Sequence, residues 1–140
     1  MLKKALIEAT YFFAKNALNS DVTLFESCPI DKYYAASIDV FGDENHSIFI
    51  YINKNSLKKM AYLFLFEEEP TDEVLRDLIK EIANLIVGKA KVVAGENGLY
   101  VDIATPNFIC EDAQAIQNDI EINFMFEGEI FSIAAKAKNE

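Results

Sequence analysis

The chain has 140 residues, 51% of them apolar, and a formal charge of −10 at neutral pH. That length and composition suit one domain spanning residues 1–140 with its own core, and they exclude a disordered chain. The acidity excludes the basic patch that a nucleic-acid backbone or an anionic bilayer requires, so neither is an expected partner.

The first segment reads MLKKALIEATYFFAKNAL. Lysines followed by apolar residues have the look of a leader, but Glu8 and Lys15 interrupt the run. No segment approaches the length of a membrane span, and a cytoplasmic protein is expected. Leu2, Leu6, Ala9, Phe13 and Ala17 fall at helical spacing, with Ala5 and Phe12 beside them. They predict a helix over residues 2–18 with one buried stripe, closed by Asn19 and Ser20. Strand signals follow in VTLFESC, YYAASIDVF and HSIFIYI, and Gly42, Asp43, Glu44 and Asn45 predict a hairpin between the last two.

A second helix is predicted from Lys54 to Phe66, with its LFLF end expected to be buried because it is so apolar. EEEPTDE then breaks the pattern. Its glutamates 67–69 read as a solvated loop and not a calcium site, since no D-x-[DN]-x-[DN]-G accompanies them. Thr71 is placed to cap a third helix, over Asp72 to Ala90, with Asp72 and Glu73 in its first turn. GENG at 95–98 predicts a turn, and LYVDIA a strand ending at Thr105-Pro106. After an irregular polar stretch, EDAQAIQND, the alternating runs IEINFMF and EIFSIAA predict a closing hairpin across Glu127-Gly128. The order of elements predicts an α+β domain, an antiparallel or mixed sheet with helices packed on one face.

Few isolated residues point to chemistry. Cys28 and Cys110 lack the spacing of a zinc site or a disulfide framework and read as buried small hydrophobes. His46, just after a turn, has no partner at triad or ligand spacing and reads as a strand start. The phenylalanines and tyrosines alternate with strand period and read as core.

The third helix is different. Its segment KEIANLIVGK places Asn at a cost of roughly 0.6 kcal/mol and Gly at about 1 kcal/mol relative to Ala in a helix interior. Leu75, Leu78, Ile79, Ile82, Leu85 and Ile86 take the core face. Asp77, Glu81, Asn84 and Gly88 advance by four, three and four residues and share one stripe directed away from that face. No other asparagine of the chain has Glu three residues before it. On the residues alone this stripe reads as an ordinary solvated face or as an interaction helix, with Gly88 leaving room for a partner's backbone.

EIANLIVGKAK resembles the signature helix of the CheX/CheC/FliY family of chemotaxis phosphatases, a helix carrying E-x-x-N followed by Gly. Glu81, Ile82, Asn84, Ile86, Gly88 and Ala90 fit that pattern, and the strand DIATPNFI resembles the family's strand ending in Pro plus apolar residues. Lys89 stands where the family usually has Asn, and Lys80 where Gly is common; the N-P-F-like start of CheX proteins is absent. With a single E-x-x-N helix the chain is similar to CheX and not to the two-site CheC.

The resemblance implies removal of phosphate from the aspartyl phosphate of a CheY-type response regulator. Glu81 and Asn84 are then the catalytic residues, Asn84 orienting the attacking water and Glu81 docking to the receiver's Lys. Asp77, Lys80, Gly88 and Lys89 are the expected partner-binding residues. No metal or cofactor is expected to be bound by this chain, Mg²⁺ being supplied by the phosphorylated receiver. A homodimer is implied by the same resemblance. The alternative is a catalytically inactive adaptor of the same fold that binds a receiver or a flagellar-switch component; an unrelated α+β interaction domain is the remaining reading.

Overall fold

A computed structural model describes residues 1–27, 32–113 and 119–138, with the side chains of 110–113 excepted. The described residues form α1 (Leu2–Ala17), β1 (Thr23–Phe25), β2 (Tyr33–Gly42), β3 (His46–Asn53), α2 (Lys54–Leu65), α3 (Asp72–Glu96), β4 (Val101–Ile103), β5 (Asn107–Ala113), β6 (Ile120–Phe126) and β7 (Glu129–Ala137). The seven strands make one sheet in the order β1-β6-β7-β3-β2-β4, with β5 also paired to β2, and every pairing is antiparallel.

Two hairpins build the centre of the sheet. In the first, Tyr33 faces Asn53 and Val40 faces His46. In the second, Phe126 faces Glu129 across a two-residue turn in which Glu127 and Gly128 both have positive φ, the geometry that matches strand twist. The hairpins join along β3 and β7, where Ile50 meets Ile133. Because side chains alternate along a strand, one face collects Tyr34, Ala36, Ile38, Ile48, Ile50, Ile52, Phe124, Phe131 and Ile133. All three helices bury residues against that face, in a single cluster. The opposite face carries a smaller cluster of Tyr33, Ala35, Tyr51 and Ala134, to which no helix contributes. Beside it the buried Ser132 hydroxyl donates to Asn123 Oδ1 at 2.6 Å. The α+β architecture with helices on one face is as expected, and the sheet is antiparallel throughout.

Helix ends follow local chemistry. Thr71 Oγ1 accepts from the Val74 N–H at 3.2 Å, and Asn53 Oδ1 accepts from the Ser56 N–H at 2.8 Å, each capping a helix N-terminus. α1 ends where expected, with Asn19 at a φ of 49°. α3 runs six residues beyond the expected Ala90, because Val93 and Ala94 remain buried and reward continued helix. The GENG turn therefore shrinks to Asn97-Gly98, where the Asn97 side chain donates to the Val93 carbonyl at 2.8 Å. β4 is pinned to the start of the β2–β3 turn by Asp43, whose carboxylate accepts from the Tyr100 N–H at 2.9 Å. Gly42 is required there: a Cβ would stand 2.8 Å from the Tyr100 carbonyl oxygen.

Several expectations of burial fail. The LFLF end of α2 is not buried: Leu63 and Phe64 are half-buried, and Phe66 is 84% exposed. The buried stripe of α2 is Ser56, Leu57, Met60 and Ala61; Phe66 falls opposite it, as the left-handed residue that ends the helix. Leu85 lies at the margin of the α3 core face and is exposed, as is Phe12 on α1. Phe25, Phe41, Tyr11, Tyr62 and Tyr100 are exposed as well, so the aromatic residues are not uniformly core. The stretch 111–119 is not wholly irregular, since β5 extends to Ala113. Glutamates 67–69 are exposed, as expected. His46 does start β3, and its Nε2 sits 2.8 Å from the carboxylate of Glu44, a partner too near in sequence to have suggested itself. Cys28 and the side chain of Cys110 lie outside the described residues.

Candidate functional site

The stripe on α3 is held by what lies beneath it. Leu75, Leu78, Ile79, Ile82, Ala83, Ile86, Val87 and Ala90 are buried against α1 and the sheet. On the other face of the same turns Asp77, Glu81 and Asn84 are exposed, while Gly88 is half-buried. The helix thus fixes its outward side chains to the core through one backbone.

Asp77, Lys80, Glu81 and Asn84 come together with Thr105 and Pro106 around a shallow open depression of about 290 Å³. Thr105 and Pro106 belong to the β4–β5 connection, which is fixed at its start by the Ala104 N–H donating to the Asp39 carbonyl at 2.9 Å. Lys91 Nζ donates to Asp102 at 2.8 Å and ties α3 to β4 on this side. Sequence reasoning gave Thr105 and Pro106 no place at the site. The signal available was a Thr-Pro pair closing a strand, but which helix face it would border depends on the pairing of β4 with β2.

The polar groups of the depression are unequally committed. Lys80 Nζ lies 3.5 Å from Asp77 Oδ1, a loose exposed pair of small energetic value. Among the described residues, no hydrogen bond or ion pair engages the side chains of Glu81 and Asn84. A carboxylate and a carboxamide stand one turn apart with their hydrogen-bonding capacity open to solvent.

Gly88 and Lys89 occupy different surroundings. A Cβ on Gly88 would meet only Ile103 Cδ1, at 3.9 Å, so the fold has room for a side chain that the sequence omits. Lys89 is turned toward α1, its Nζ 4.2 Å from the centroid of the Phe12 ring, and does not line the depression.

The arrangement is chemically incomplete by itself. The depression holds no nucleophile–base pair, and among the described residues no cluster of three or more His, Cys, Asp or Glu is able to hold a metal. It is also too open to enclose a small substrate. What it offers is a helix face, held rigid by the core beneath it, bearing two uncommitted polar groups that suit contact with another macromolecule. No described helix is long and apolar enough to cross a membrane.

A family model described as chemotaxis phosphatase CheX matches residues 34–126. No curated protein sequence matches. Among solved structures, the chain is similar to chemotaxis protein CheX from Desulfovibrio desulfuricans, with 18% identity, a TM-score of 0.81, and 98% of this chain and 99% of that one covered. It is likewise similar to chemotaxis protein CheX from Vibrio vulnificus, with 17% identity, a TM-score of 0.82 and 96% of each chain covered. A third similar chain belongs to the CheX–CheY–BeF3–Mg²⁺ complex from Borrelia burgdorferi, at 17% identity and a TM-score of 0.74, covering 97% of this chain and 98% of that one.

Proposed function

The chain belongs to the chemotaxis phosphatase CheX family, and from that premise we propose that it hydrolyses the aspartyl phosphate of a CheY-type receiver domain. The observation that carries the reading is the pair Glu81 and Asn84, exposed and uncommitted on a helix whose other face is core. The complex of a CheX with CheY, BeF3 and Mg²⁺ among the similar structures supports the choice of partner.

Hydrolysis of an acyl phosphate needs little covalent help. Water oxygen bonds to phosphorus as the bond from phosphorus to the aspartyl oxygen breaks, giving inorganic phosphate and a free carboxylate, and the water's proton passes to phosphate or solvent. The demand on the protein is positioning. Asn84 meets it because a carboxamide both donates and accepts, and so orients a water without titrating. Glu81, one turn earlier, forms an ion pair with the receiver's Lys and sets the register of Asn84 over the phosphoryl group. Such a pair is stronger in a partner's cleft than on an open surface.

Gly88 admits the receiver backbone one turn beyond Asn84. Asp77 and Lys80 touch the receiver from the N-terminal end of the depression, and Lys89 from the side facing α1. Mg²⁺ is the receiver's and supplies charge neutralisation at the phosphoryl oxygens. The protein acts in the cytoplasm, where such receivers work, and as a homodimer, a state that sedimentation measures.

The test is to mix the chain with a phosphorylated CheY-type receiver and follow loss of phosphate. Acceleration over the receiver's own decay is the expected result. Binding without acceleration would assign the chain to the adaptor reading, and absence of binding would overturn both.

A further inference from the structure

Leu85 is the residue after Asn84 and lies one turn beyond Glu81, yet it is a 37% exposed leucine. It opens onto an apolar groove of about 230 Å³, lined by Phe12, Phe13, Asn16 and Ala17 of α1, Phe64 of α2 and Leu85 of α3. Phe12, on one wall, is 48% exposed although it sits on a helix with a well-formed buried stripe. Leu65 and Phe66, which follow Phe64 in sequence, are exposed as well. A contiguous apolar groove of this kind is a mark of a docking surface.

We propose that this groove is the second half of the receiver-docking surface, taking an apolar ridge of the same receiver domain whose phosphorylated aspartate meets Asn84. The proposal rests on the receiver reading given above. Two arguments select the receiver as occupant. The first is area: six residues line the depression at Glu81 and Asn84, whereas a stable interface engages about 20–30 residues a side. Docking must therefore spread outward from the stripe. The second is continuity. The β4–β5 border of the stripe presents Thr105, Pro106 and the Asp77–Lys80 pair, and the α1 border presents Leu85 and the groove. A receiver seated over Glu81 and Asn84 covers Leu85 first, and the groove is the adjoining surface where desolvation is favourable. The groove walls come from three helices that share one core, so the surface is formed before the partner arrives.

The experiment uses the full chain and a CheY-type receiver from the same genome, phosphorylated with acetyl phosphate. Phe12→Gln and Leu85→Gln are compared with wild type and with Phe41→Gln, an equally exposed phenylalanine on β2. Each groove variant is expected to raise KM for the receiver by about tenfold while kcat at saturation stays within about twofold, as removal of docking contacts predicts. Phe41→Gln is expected to leave both unchanged. A saturating kcat near wild type also shows that the variants fold. Unchanged KM in both groove variants would overturn the proposal. If those variants instead dissociate a wild-type dimer in sedimentation, the groove belongs to a second copy of the chain and the proposal is likewise overturned. A wild type that neither binds nor hydrolyses the receiver would overturn the receiver reading itself, and this inference with it; that failure is distinct because it shows before any substitution.

Discussion

The Tyr34 hydroxyl, on β2, donates to the Asp72 carboxylate at 2.7 Å and so fastens the first residue of α3 to the sheet. Lys54 Nζ, the first residue of α2, stands 3.3 Å from the same carboxylate. One acidic side chain thus joins the sheet and two helices at the end of α3 that leads to the site.

The hydrogen bond from Tyr34, and after it Lys54, holds the Asp72 carboxyl below its ordinary value of 3.8. A carboxyl depressed in the folded state contributes stability above that ordinary value and loses it as pH falls through the folded value. Tyr34→Phe is expected to lower Tm by a few degrees at neutral pH, with the gap to wild type closing as pH is taken below 3.8. Thermal unfolding at a series of pH values checks it; a gap that persists unchanged into acid would mean that the tie is not ionic.

Asn84→Ala and Glu81→Ala are expected to fail differently. On the proposed function, loss of the Asn84 carboxamide is expected to cut kcat by roughly 100-fold and to leave receiver binding close to wild type. On the same proposal, loss of the Glu81 carboxylate is expected to raise KM, on the order of tenfold or more, and to depress kcat less. Steady-state phosphate release over a range of receiver concentrations separates the two, and identical profiles for both variants would sink the division of roles.

Gly88→Ala separates stability from docking. The new Cβ meets only Ile103 Cδ1 at 3.9 Å, and Ala favours the helix by about 1 kcal/mol, so Tm is expected to rise. On the proposed function the same methyl group stands in the path of the receiver backbone, so KM is expected to rise with it. A variant that is more stable and equally active would show that Gly88 has no part in docking.

Removal of metal addresses where the cation resides. EDTA is expected to abolish phosphate release from the mixture while leaving the Tm of the isolated chain unchanged, as the proposed function, which assigns Mg²⁺ to the receiver, requires. A Tm that falls on chelation would place a metal in this chain.

The parts of the fold visible in the sequence were those set by local rules. Apolar periodicity gave α1 and the core face of α3, Thr71 gave the α3 N-terminus, and Glu127-Gly128 gave the closing turn. The parts that escaped depend on what packs where. β5 escaped as a separate strand because Glu111 and Asp112 open a polar stretch, and because it lies off the main path of the sheet, where no alternation announces its pairing to β2. α3 continues through Gly88 and past Ala90 because Val93 and Ala94 find burial. Leu85 has the right period for core and is nevertheless exposed, since it lies at the edge of the face between α3 and α1. At the site, the stripe of Asp77, Glu81, Asn84 and Gly88 followed from helical geometry alone. Thr105 and Pro106 beside it required the tertiary fold, and Lys89 pointed elsewhere because Phe12 offers its ring.

Ten residues of α3 are buried, and the pair Glu81 and Asn84 rides on the middle of that helix. Their backbone is preorganised: association has no main chain to order beneath them. The entropy lost on this side reduces to the rotamers of two exposed side chains, about 0.5–1.5 kcal/mol each. Any conformational adjustment that docking demands at this contact falls mainly on the partner.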